Sequence, residues 1–372
     1  MGGFKLGKVL GFEISVDWSW LLIFFLVVYS LSSGYFPTLY KFDVTTNWIM
    51  GVLAALLLFA SVLVHELSHS IVARSYGMDV KGIMLFLFGG MSQTSDEPKS
   101  AKEEFWMAIV GPLTSFVLAG LFYILGGLGK GYGLSLPAVA VLGYLAWINL
   151  FLGLFNLVPG FPLDGGRVLR SIIWGSTGEL PKATQYASYV GQGFGYLLMA
   201  FGFVNILAGS LIGGLWLIFI GWFLTGAARS SYQQVMIKEA LSGVRIEQVM
   251  TTDVPAIPAD LSVRQFVDDY LLRHEYSCYP VVRGEEAIGV IGADEVRSVP
   301  SLQWDFARVG EIAHRIDGAY EVKPEDDAWD AVIKLANQEV CRLIVMDDNH
   351  IKGTVGRDTV FRLIQTKIQM ER

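Results

Sequence analysis

Residues 53–70 read LAALLLFASVLVHELSHS, an apolar run that ends in two histidines and a glutamate. The uncharged stretch around it, residues 44–64, is long enough to cross a bilayer as a helix, which takes about 20 apolar residues. His65 and His69 are four residues apart, so a helix places both imidazoles on one face, one turn apart. That arrangement supplies two ligands for one metal ion, and Glu66 between them suits a general base acting on metal-bound water.

The alternative explanation of these three residues is a polar cluster at a helix end that makes only hydrogen bonds. At membrane depth, however, an uncompensated ionisable residue costs at least about 2.5–3.5 kcal/mol. His65 and His69 are also the only histidines among residues 1–228. Metal binding is therefore the favoured interpretation.

The composition divides the chain into an apolar part and a polar part. Of the 372 residues, 53% are hydrophobic and 17% are charged, whereas soluble domains are about 25% charged. Residues 1–228 contain 22 charged side chains with no net charge, and residues 229–372 contain 41 and supply the whole net charge of −7. This division excludes a single water-soluble domain, a disordered chain and a nucleic-acid binder driven by positive charge.

The apolar part is predicted to contain six membrane helices. The uncharged runs that are long enough are residues 18–40, 44–64, 105–129, 131–163 and 183–228. The last run is interrupted by turn-like residues, so it is predicted to form a helical hairpin. Eleven basic residues flank one set of helix ends and two flank the other, which predicts a cytoplasmic N-terminus and a cytoplasmic polar part. The two cysteines, Cys278 and Cys341, make no disulfide framework and favour a reducing compartment.

Two short stretches of the apolar part are predicted to be extended. Residues 4–16 alternate in strand fashion around Gly7 and Gly11. Residues 81–91 are β-branched and aromatic up to Gly89-Gly90, and they are too few to span a membrane as a helix. We therefore expect a strand or re-entrant element there, at the cytoplasmic face.

The polar part repeats itself. Residues 277–282, SCYPVV, are echoed by residues 340–345, VCRLIV. Residues 289–296, GVIGADEV, are likewise echoed by residues 353–360, GTVGRDTV. A duplicated α/β unit that packs on itself is predicted.

A third metal ligand is sought near the depth of His65, because a catalytic zinc site has three protein ligands and one open position. Residues 156–167 read NLVPGFPLDGGR, in which two prolines and a glycine must end the helix. Asp164 follows in the loop and is the candidate. The alternative is an ordinary aspartate that caps a short helix over residues 167–174.

Asn156 is a second candidate from the same segment. A loop aspartate that caps a helix would not explain an asparagine eight residues earlier in an otherwise apolar helix. An asparagine amide can donate a hydrogen bond to a developing oxyanion. Asn149 is the less favoured choice for this role, because it lies deeper and outside the broken segment.

HELSH at 65–69 and NLVPGFPLDGG at 156–166 resemble the two signatures of the site-2 protease family of intramembrane zinc metalloproteases. The resemblance covers residues 1–228 and implies one Zn²⁺ held by His65, His69 and Asp164, with Glu66 as the base. It also implies that the strand at 81–91 lies at the membrane face, where its edge can pair with an unwound substrate segment. Gly111-Pro112 resembles the family's GPxxN segment, with Ser115 at the asparagine position.

The repeat resembles a tandem pair of CBS domains, predicted at 246–300 and 301–372 after a linker at 229–245. Many CBS pairs bind adenosine nucleotides, and the usual acidic ribose contact corresponds here to Glu295 and Thr359. The usual Ser/Thr positions before it are Gly292 and Gly356, so both copies depart from the nucleotide-binding pattern, and Asp294 and Asp358 are weak substitutes. The resemblance leaves two roles open for the pair, a nucleotide sensor or a structural module that forms a homodimer.

Together, these resemblances imply a multi-pass α-helical membrane protein followed by a soluble α/β CBS pair. The implied enzyme cuts single-pass, membrane-anchored substrates within or near their transmembrane segments, in regulated intramembrane proteolysis, with the CBS pair as a regulatory module. The alternative is a CBS-regulated transporter or channel, in which the histidines and carboxylates form a cation path. A transporter has no need of the His-Glu-x-x-His spacing, and the membrane part shows no internal sequence repeat. No nucleic-acid partner is expected.

Overall fold

The computed structural model of the protein describes residues 3–86, 89–94, 98–273, 276, 278–284, 286–315, 321–337, 342–347, 350–356 and 359. The chain divides into two compact units, residues 1–233 (unit 1) and residues 234–372 (unit 2). Each unit has hydrophobic clusters of its own.

Long apolar helices form most of unit 1. They are α1 (Trp18–Ser30), α2 (Phe36–Leu39), α3 (Val44–Ser75), α4 (Ala101–Gly131), α5 (Leu136–Asn156), α6 (Asp164–Thr177), α7 (Leu180–Leu207) and α8 (Leu211–Leu241). Among the described residues, six spans are long and apolar enough to cross a membrane, and α1 and α2, joined by a π-helical turn, form the first of them. The six predicted membrane helices are confirmed, including the hairpin of α7 and α8.

The outer faces of these helices are apolar. Leu22, Tyr123 and Ile212 are 65%, 77% and 85% exposed, and many other large apolar side chains share that position. An apolar surface of this extent is compatible with lipid and not with water. The chain is therefore a multi-pass membrane protein.

Helices α7 and α8 pack backbone against backbone. A Cβ atom on Gly195 would lie 2.7 Å from the Gly221 carbonyl oxygen, and one on Gly202 would lie 2.6 Å from the Gly214 carbonyl oxygen. The two glycines of each helix are seven residues apart and therefore lie on one stripe. Small residues on such a stripe allow membrane helices to approach closely.

The loop from α5 to α6, residues 157–163, is held against α7. Phe161 N–H donates a hydrogen bond to the Ala187 carbonyl at 3.2 Å. A Cβ atom on Gly160 would lie 2.5 Å from the backbone nitrogen of Gly191, so glycine is required where the loop crosses α7. Helix α7 therefore supports the segment that leads into α6.

A four-stranded sheet completes unit 1. Its strands are β1 (Gly3–Val9), β2 (Phe12–Asp17), β3 (Val80–Phe86) and β4 (Gly89–Thr94), in the order β1-β2-β3-β4. The pairs β1–β2 and β3–β4 are antiparallel, and β2–β3 is parallel. Phe12, Ile14 and Ile83 of this sheet pack in one cluster with Leu67 of α3. The sheet therefore covers the end of α3 that carries HELSH.

The strand expected over residues 4–16 is confirmed as two strands, β1 and β2. The strand expected over residues 81–91 is also confirmed, but it is divided into β3 and β4, so it does not end at Gly89-Gly90. Gly89, with φ of 131°, opens the second strand, β4, a conformation that only glycine adopts readily.

Unit 2 contains two small sheets. Its strands are β5 (Ile257–Pro258), β6 (Cys278–Arg283), β7 (Glu286–Gly292), β8 (His314–Arg315), β9 (Glu321–Val322), β10 (Arg342–Asp347) and β11 (His350–Gly356). Its helices are α9 (Val263–Phe266), α10 (Ala293–Arg297), α11 (Val309–Ile312) and α12 (Ala328–Asn337). The first sheet has the order β5-β6-β7-β8 and the second the order β11-β10-β9.

The internal repeat is visible in the strand registers. Val281 pairs with Gly289 in the first copy, and Val345 pairs with Gly353 in the second, so both partners are displaced by 64 residues. Both hairpins have a register shift directly after that valine. The two copies therefore share a strand geometry, as expected for a duplicated α/β unit.

Two features of unit 2 bear on earlier expectations. Helix α8 continues to Leu241, through much of the segment that the sequence predicted as a linker, and Leu241 is buried in a core cluster with Ile246.

Cys278 is buried and disulfide-bonded, whereas Cys341 lies outside the described residues. The cysteines therefore give no support to a reducing compartment, and the predicted orientation depends on the basic residues alone.

Candidate metal centre

His65 and His69 lie on one face of α3, near its C-terminal end. Both are buried, at 3% and 7% exposure. Their Nε2 atoms are 3.2 Å apart, so both rings present the same nitrogen to one point. The four-residue spacing in the sequence therefore places both imidazoles on one face of the helix, as predicted.

Asp164 is the first residue of α6, and its carboxylate meets both imidazoles. Asp164 Oδ2 lies 3.1 Å from His65 Nε2 and 3.3 Å from His69 Nε2. The residue that caps α6 is Leu163, without a side-chain hydrogen bond, so the alternative of Asp164 as a helix cap is wrong. A buried pair of histidines and one carboxylate is brought together from segments 99 residues apart.

The spacing of these three atoms fits a tetrahedral zinc ion. Zinc binds imidazole nitrogen and carboxylate oxygen at about 2.0 Å, and the corners of such a tetrahedron are about 3.3 Å apart. The three measured separations, 3.1, 3.2 and 3.3 Å, are close to that edge length. Two histidines and one carboxylate form a donor set that leaves the fourth position open for water.

Two glycines allow α6 to begin where it does. A Cβ atom on Gly165 would clash with the Leu157 backbone, and one on Gly166 would clash with the backbone of Gly160. Glycine is therefore needed at both positions for the first turn of α6 to lie against the preceding loop. This contact places the Asp164 carboxylate beside α3.

Helix α4 supports the outer nitrogens of both histidines. His69 Nδ1–H donates to the Met107 carbonyl oxygen at 2.5 Å, and His65 Nδ1 pairs with Ser115 Oγ at 2.9 Å. These partners orient the rings and leave each Nε2 atom available to a metal. Between them, a Cβ atom on Gly111 would lie 2.7 Å from His65 Nε2, so α4 passes directly against the centre.

Charge also shapes the centre. Burial acts to raise the pKa of the Asp164 carboxyl, but the His69 and His65 imidazoles together outweigh that effect and hold the pKa well below its usual range. A lowered pKa favours the ionised carboxylate, which is the form that binds a metal.

Glu66 lies between the two histidines in sequence and beside strand β4. A Cβ atom on Gly90 would lie 2.9 Å from the Glu66 carboxyl carbon, so β4 passes directly over this side chain. One turn further along α3, Ser70 Oγ is 3.2 Å from Ser92 Oγ of β4. Strand β4 is the last strand of the sheet, and its outer edge pairs with no other strand among the residues that the structure describes.

The two asparagines of α5 differ in position. Asn156 is the last residue of α5 and is half-buried, and its side chain makes no hydrogen bond within the described ranges. Asn149 is fully buried and donates hydrogen bonds to the Leu145 carbonyl at 2.8 Å and to Ser61 Oγ at 3.3 Å. Asn149 is therefore occupied in joining α5 to α3.

The ribose-contact positions of unit 2 are engaged within the protein. Glu295 Oε2 accepts a hydrogen bond from the Gly292 N–H at 2.8 Å, at the start of α10. Thr359 is buried, and its Oγ1 atom is 3.2 Å from Thr251 Oγ1. Both side chains are therefore engaged in hydrogen bonds within the protein.

Asp294 and Asp358 are the substitute candidates for the ribose contact. The Asp294 side chain is 89% exposed and pairs with Arg297 at 3.3 Å on the surface of α10. Asp358 lies outside the described residues.

Sequence reasoning missed the supporting role of Ser115, which was noted only as a departure from an asparagine. It also missed the Met107 carbonyl and the two close-packed glycines, Gly111 and Gly90. The spacing of Met107, Gly111 and Ser115, four residues each, is a signal that could have been found, because it places all three on one face of α4.

Two buried histidines on α3 and one carboxylate at the start of α6 form the donor set of a zinc metallopeptidase. A sequence profile of peptidase family M50 matches residues 53–135 and 133–201, and a CBS domain profile matches residues 246–301. The Synechocystis sp. protein sll0528, named as a zinc metalloprotease, is 36% identical over 97% of this chain and 95% of its own length. Rip3 of Mycobacterium tuberculosis, named likewise, is 34% identical over 96% of this chain and 92% of its own length.

A solved structure of the site-2 protease from Methanocaldococcus jannaschii is 28% identical. It covers 62% of this chain and 95% of that chain, with a TM-score of 0.44. From the full-length relatives, the chain belongs to peptidase family M50, the site-2 protease family. It is a zinc metalloprotease with a CBS domain, as the sequence resemblance implied.

Proposed function

We propose that the protein hydrolyses peptide bonds within or near the transmembrane segments of single-pass, membrane-anchored substrates. The observation that carries this proposal is the closed triangle of His65, His69 and Asp164 on helices that are themselves membrane spans or adjoin one. A cation path would need polar groups along a span, whereas these three atoms converge on one point. The geometry therefore favours a protease over a transporter.

In this proposal His65, His69 and Asp164 hold one zinc ion, and Glu66 is the general base. Zinc would supply Lewis acidity there, which lowers the pKa of a water molecule and polarises the scissile carbonyl. Glu66 would accept a proton from the attacking water and pass it to the leaving amine. Met107 and Ser115 keep the imidazoles oriented, and the buried surroundings strengthen each electrostatic contact.

The substrate is proposed to bind as an extended segment along β4. The outer edge of this strand offers backbone N–H and C=O groups, and a peptide that adds to such an edge gains main-chain hydrogen bonds. Because Gly90 of β4 lies against Glu66, a segment paired there would pass close to the base. A transmembrane helix must unwind before it can pair in this way.

The substrates can be identified in cells that carry a Glu66→Gln variant. We expect single-pass membrane proteins to accumulate in that strain relative to wild type, and their shortened fragments to disappear. The measurement is a quantitative comparison of the two membrane proteomes. An unchanged single-pass fraction would contradict proteolysis as the function.

Asn156 is proposed to donate a hydrogen bond to the oxyanion that forms on the scissile carbonyl. Its position at the end of α5, without a hydrogen bond among the described residues, leaves the amide available. Asn156→Ala should lower kcat by about 10²-fold, as for other single oxyanion donors, with zinc content unchanged. Asn149→Ala is the matched comparison, and an equal fall in kcat there, or zinc loss in Asn156→Ala, would contradict the assignment.

The N-terminus and unit 2 are proposed to be cytoplasmic. Support comes from the basic residues, eleven of which flank one set of helix ends. Cysteine accessibility to a membrane-impermeant reagent in intact cells, at a residue introduced into the exposed β6–β7 turn, measures this orientation. Labelling from outside would contradict it.

The CBS pair is proposed to regulate cleavage through contacts with a second copy, without binding adenosine nucleotides. The internal engagement of Glu295 and Thr359 supports the second half of this proposal. A chain truncated after Gln233, the end of unit 1, should keep zinc and basal chemistry but show an altered cleavage rate. Equilibrium dialysis of the full chain with ATP or AMP should detect no binding, and saturable binding would establish a nucleotide sensor instead.

A further inference from the structure

A carboxylate outside the metal centre is buried at the start of α4. Glu104 is fully buried, and its Oε1 atom accepts a hydrogen bond from Arg170 Nε at 2.7 Å and a second from Arg170 Nη2. Arg167 Nε lies 3.8 Å from the same oxygen. Both arginines belong to α6, the helix that begins with Asp164.

Stability alone does not explain an ion pair at this depth. Removing two charges from water is costly, and a pair of well-packed apolar residues often gives equal or greater stability. What the pair offers is orientation, because two N–H groups on one edge of the planar guanidinium both donate to the same oxygen, Glu104 Oε1. A lysine or an apolar contact would not provide that constraint.

Arg170 connects three parts of the site. Its guanidinium pairs with α4 through Glu104, and it lies 5.0 Å from the centre of the Phe161 ring in the loop before α6. Asp164 stands two turns earlier on the same helix, at a helix start that has no side-chain cap. The ion pair therefore holds α6 against α4, whereas the N-terminus of α6 has no side-chain cap to hold it.

Helix α4 is also the support of the two histidines, through Met107 and Ser115. The ion pair between α4 and α6 therefore fixes the position of the carboxylate ligand relative to α4, the same helix that orients the imidazole ligands. We propose that Glu104 and Arg170 are positioning residues that hold the Asp164 carboxylate at zinc-binding distance from His65 and His69. This inference rests on the proposed metal role of Asp164.

The test is the zinc affinity of a Glu104→Gln variant, measured by competition with a chelator. Glutamine keeps the size of the side chain and removes the charge that Arg170 requires. We expect zinc affinity to fall by about 10–100-fold, the range found for residues that support metal ligands, and kcat to fall with little change in KM. The absorption spectrum of the cobalt-substituted protein should also change, because it reports the ligand geometry.

Glu103→Gln is the matched control. Glu103 lies on the same turn of α4, and its carboxylate accepts a hydrogen bond from the Lys99 N–H, whereas no ion pair joins it to α6 among the described residues. It should match wild type in zinc affinity and cobalt spectrum. A folded Glu104→Gln protein that also matches wild type, even with a lower melting temperature, would overturn the proposal.

Arg170→Lys keeps the test decisive if Glu104→Gln fails to fold. Lysine retains the positive charge but lacks the rigid plane that directs two N–H groups to Glu104 Oε1, so zinc affinity should again fall and the cobalt spectrum should change. Wild-type values in a folded Arg170→Lys protein would overturn the positioning role. Failure of the wild-type chain itself to bind zinc would refute the proposed function instead, so the two failures are distinguishable.

Discussion

Glu66→Gln is expected to stop peptide-bond cleavage while leaving zinc bound. The substitution preserves both imidazoles and the Asp164 carboxylate, so the three atoms that form the triangle remain in place. It removes the group that accepts the proton of the attacking water. General-base catalysis contributes about 10²–10⁴-fold, and the rate of the purified variant should fall by that factor.

Elemental analysis of the same preparation separates a base from a ligand. His65→Ala is the reference, because loss of an imidazole should remove stoichiometric zinc and activity together. Glu66→Gln should contain one zinc per chain with negligible cleavage. Zinc loss in Glu66→Gln, or cleavage at the wild-type rate, would show that Glu66 is not the base.

Gly111→Ala is expected to prevent zinc binding although it adds only one methyl group. The new Cβ atom would lie 2.7 Å from His65 Nε2 and closer still to His69 Nε2. Both nitrogens are proposed ligand atoms, so any shift that relieves the clash displaces them from the triangle. We expect zinc affinity to fall by at least about 100-fold, the upper end of the range for supporting residues.

Gly120→Ala provides the control for Gly111→Ala on the same helix. A Cβ atom there would have no neighbour within 4 Å, so the substitution should leave zinc affinity unchanged. Both variants also gain helix propensity from the exchange of glycine for alanine. Equal zinc affinity in the two variants would mean that α4 can move away from the histidines, and that it is not a fixed support.

The sequence predicts those parts of the centre that depend on local geometry. The spacing of His65 and His69 determines their shared helical face whatever the helix packs against. The prolines before Asp164 end a helix by their own covalent structure, so a loop at that depth was predictable too. The number of membrane spans follows from apolar length alone.

The supporting contacts could not be predicted because they join segments that are distant in sequence. Ser115 is 50 residues from His65. The resemblance to the GPxxN segment indicates only that a serine stands at the position of an asparagine. A backbone carbonyl such as that of Met107 has no signature in the sequence. Gly111 could equally mark close helix packing, a common reason for glycine in membrane helices.

The strand that follows β3 was missed for a related reason. Gly89-Gly90 indicates a turn, but the sequence does not say whether the glycines end one strand or begin the next. That choice depends on the pairing of Phe86 with Gly89 and of Leu85 with Gly90. The register is a property of two segments together, and it places Gly90 beside Glu66.

The contact between α7 and the loop at residues 157–163 has a consequence for biogenesis. During synthesis, α3 and its histidines enter the membrane long before α7 emerges from the ribosome. Until α7 is synthesised, the Phe161 N–H lacks its Ala187 acceptor and Gly160 lacks the α7 backbone against which it packs. A nascent chain that ends before α7 would therefore carry both imidazoles without the support that holds Asp164 beside them, and we expect it to bind zinc only late in assembly.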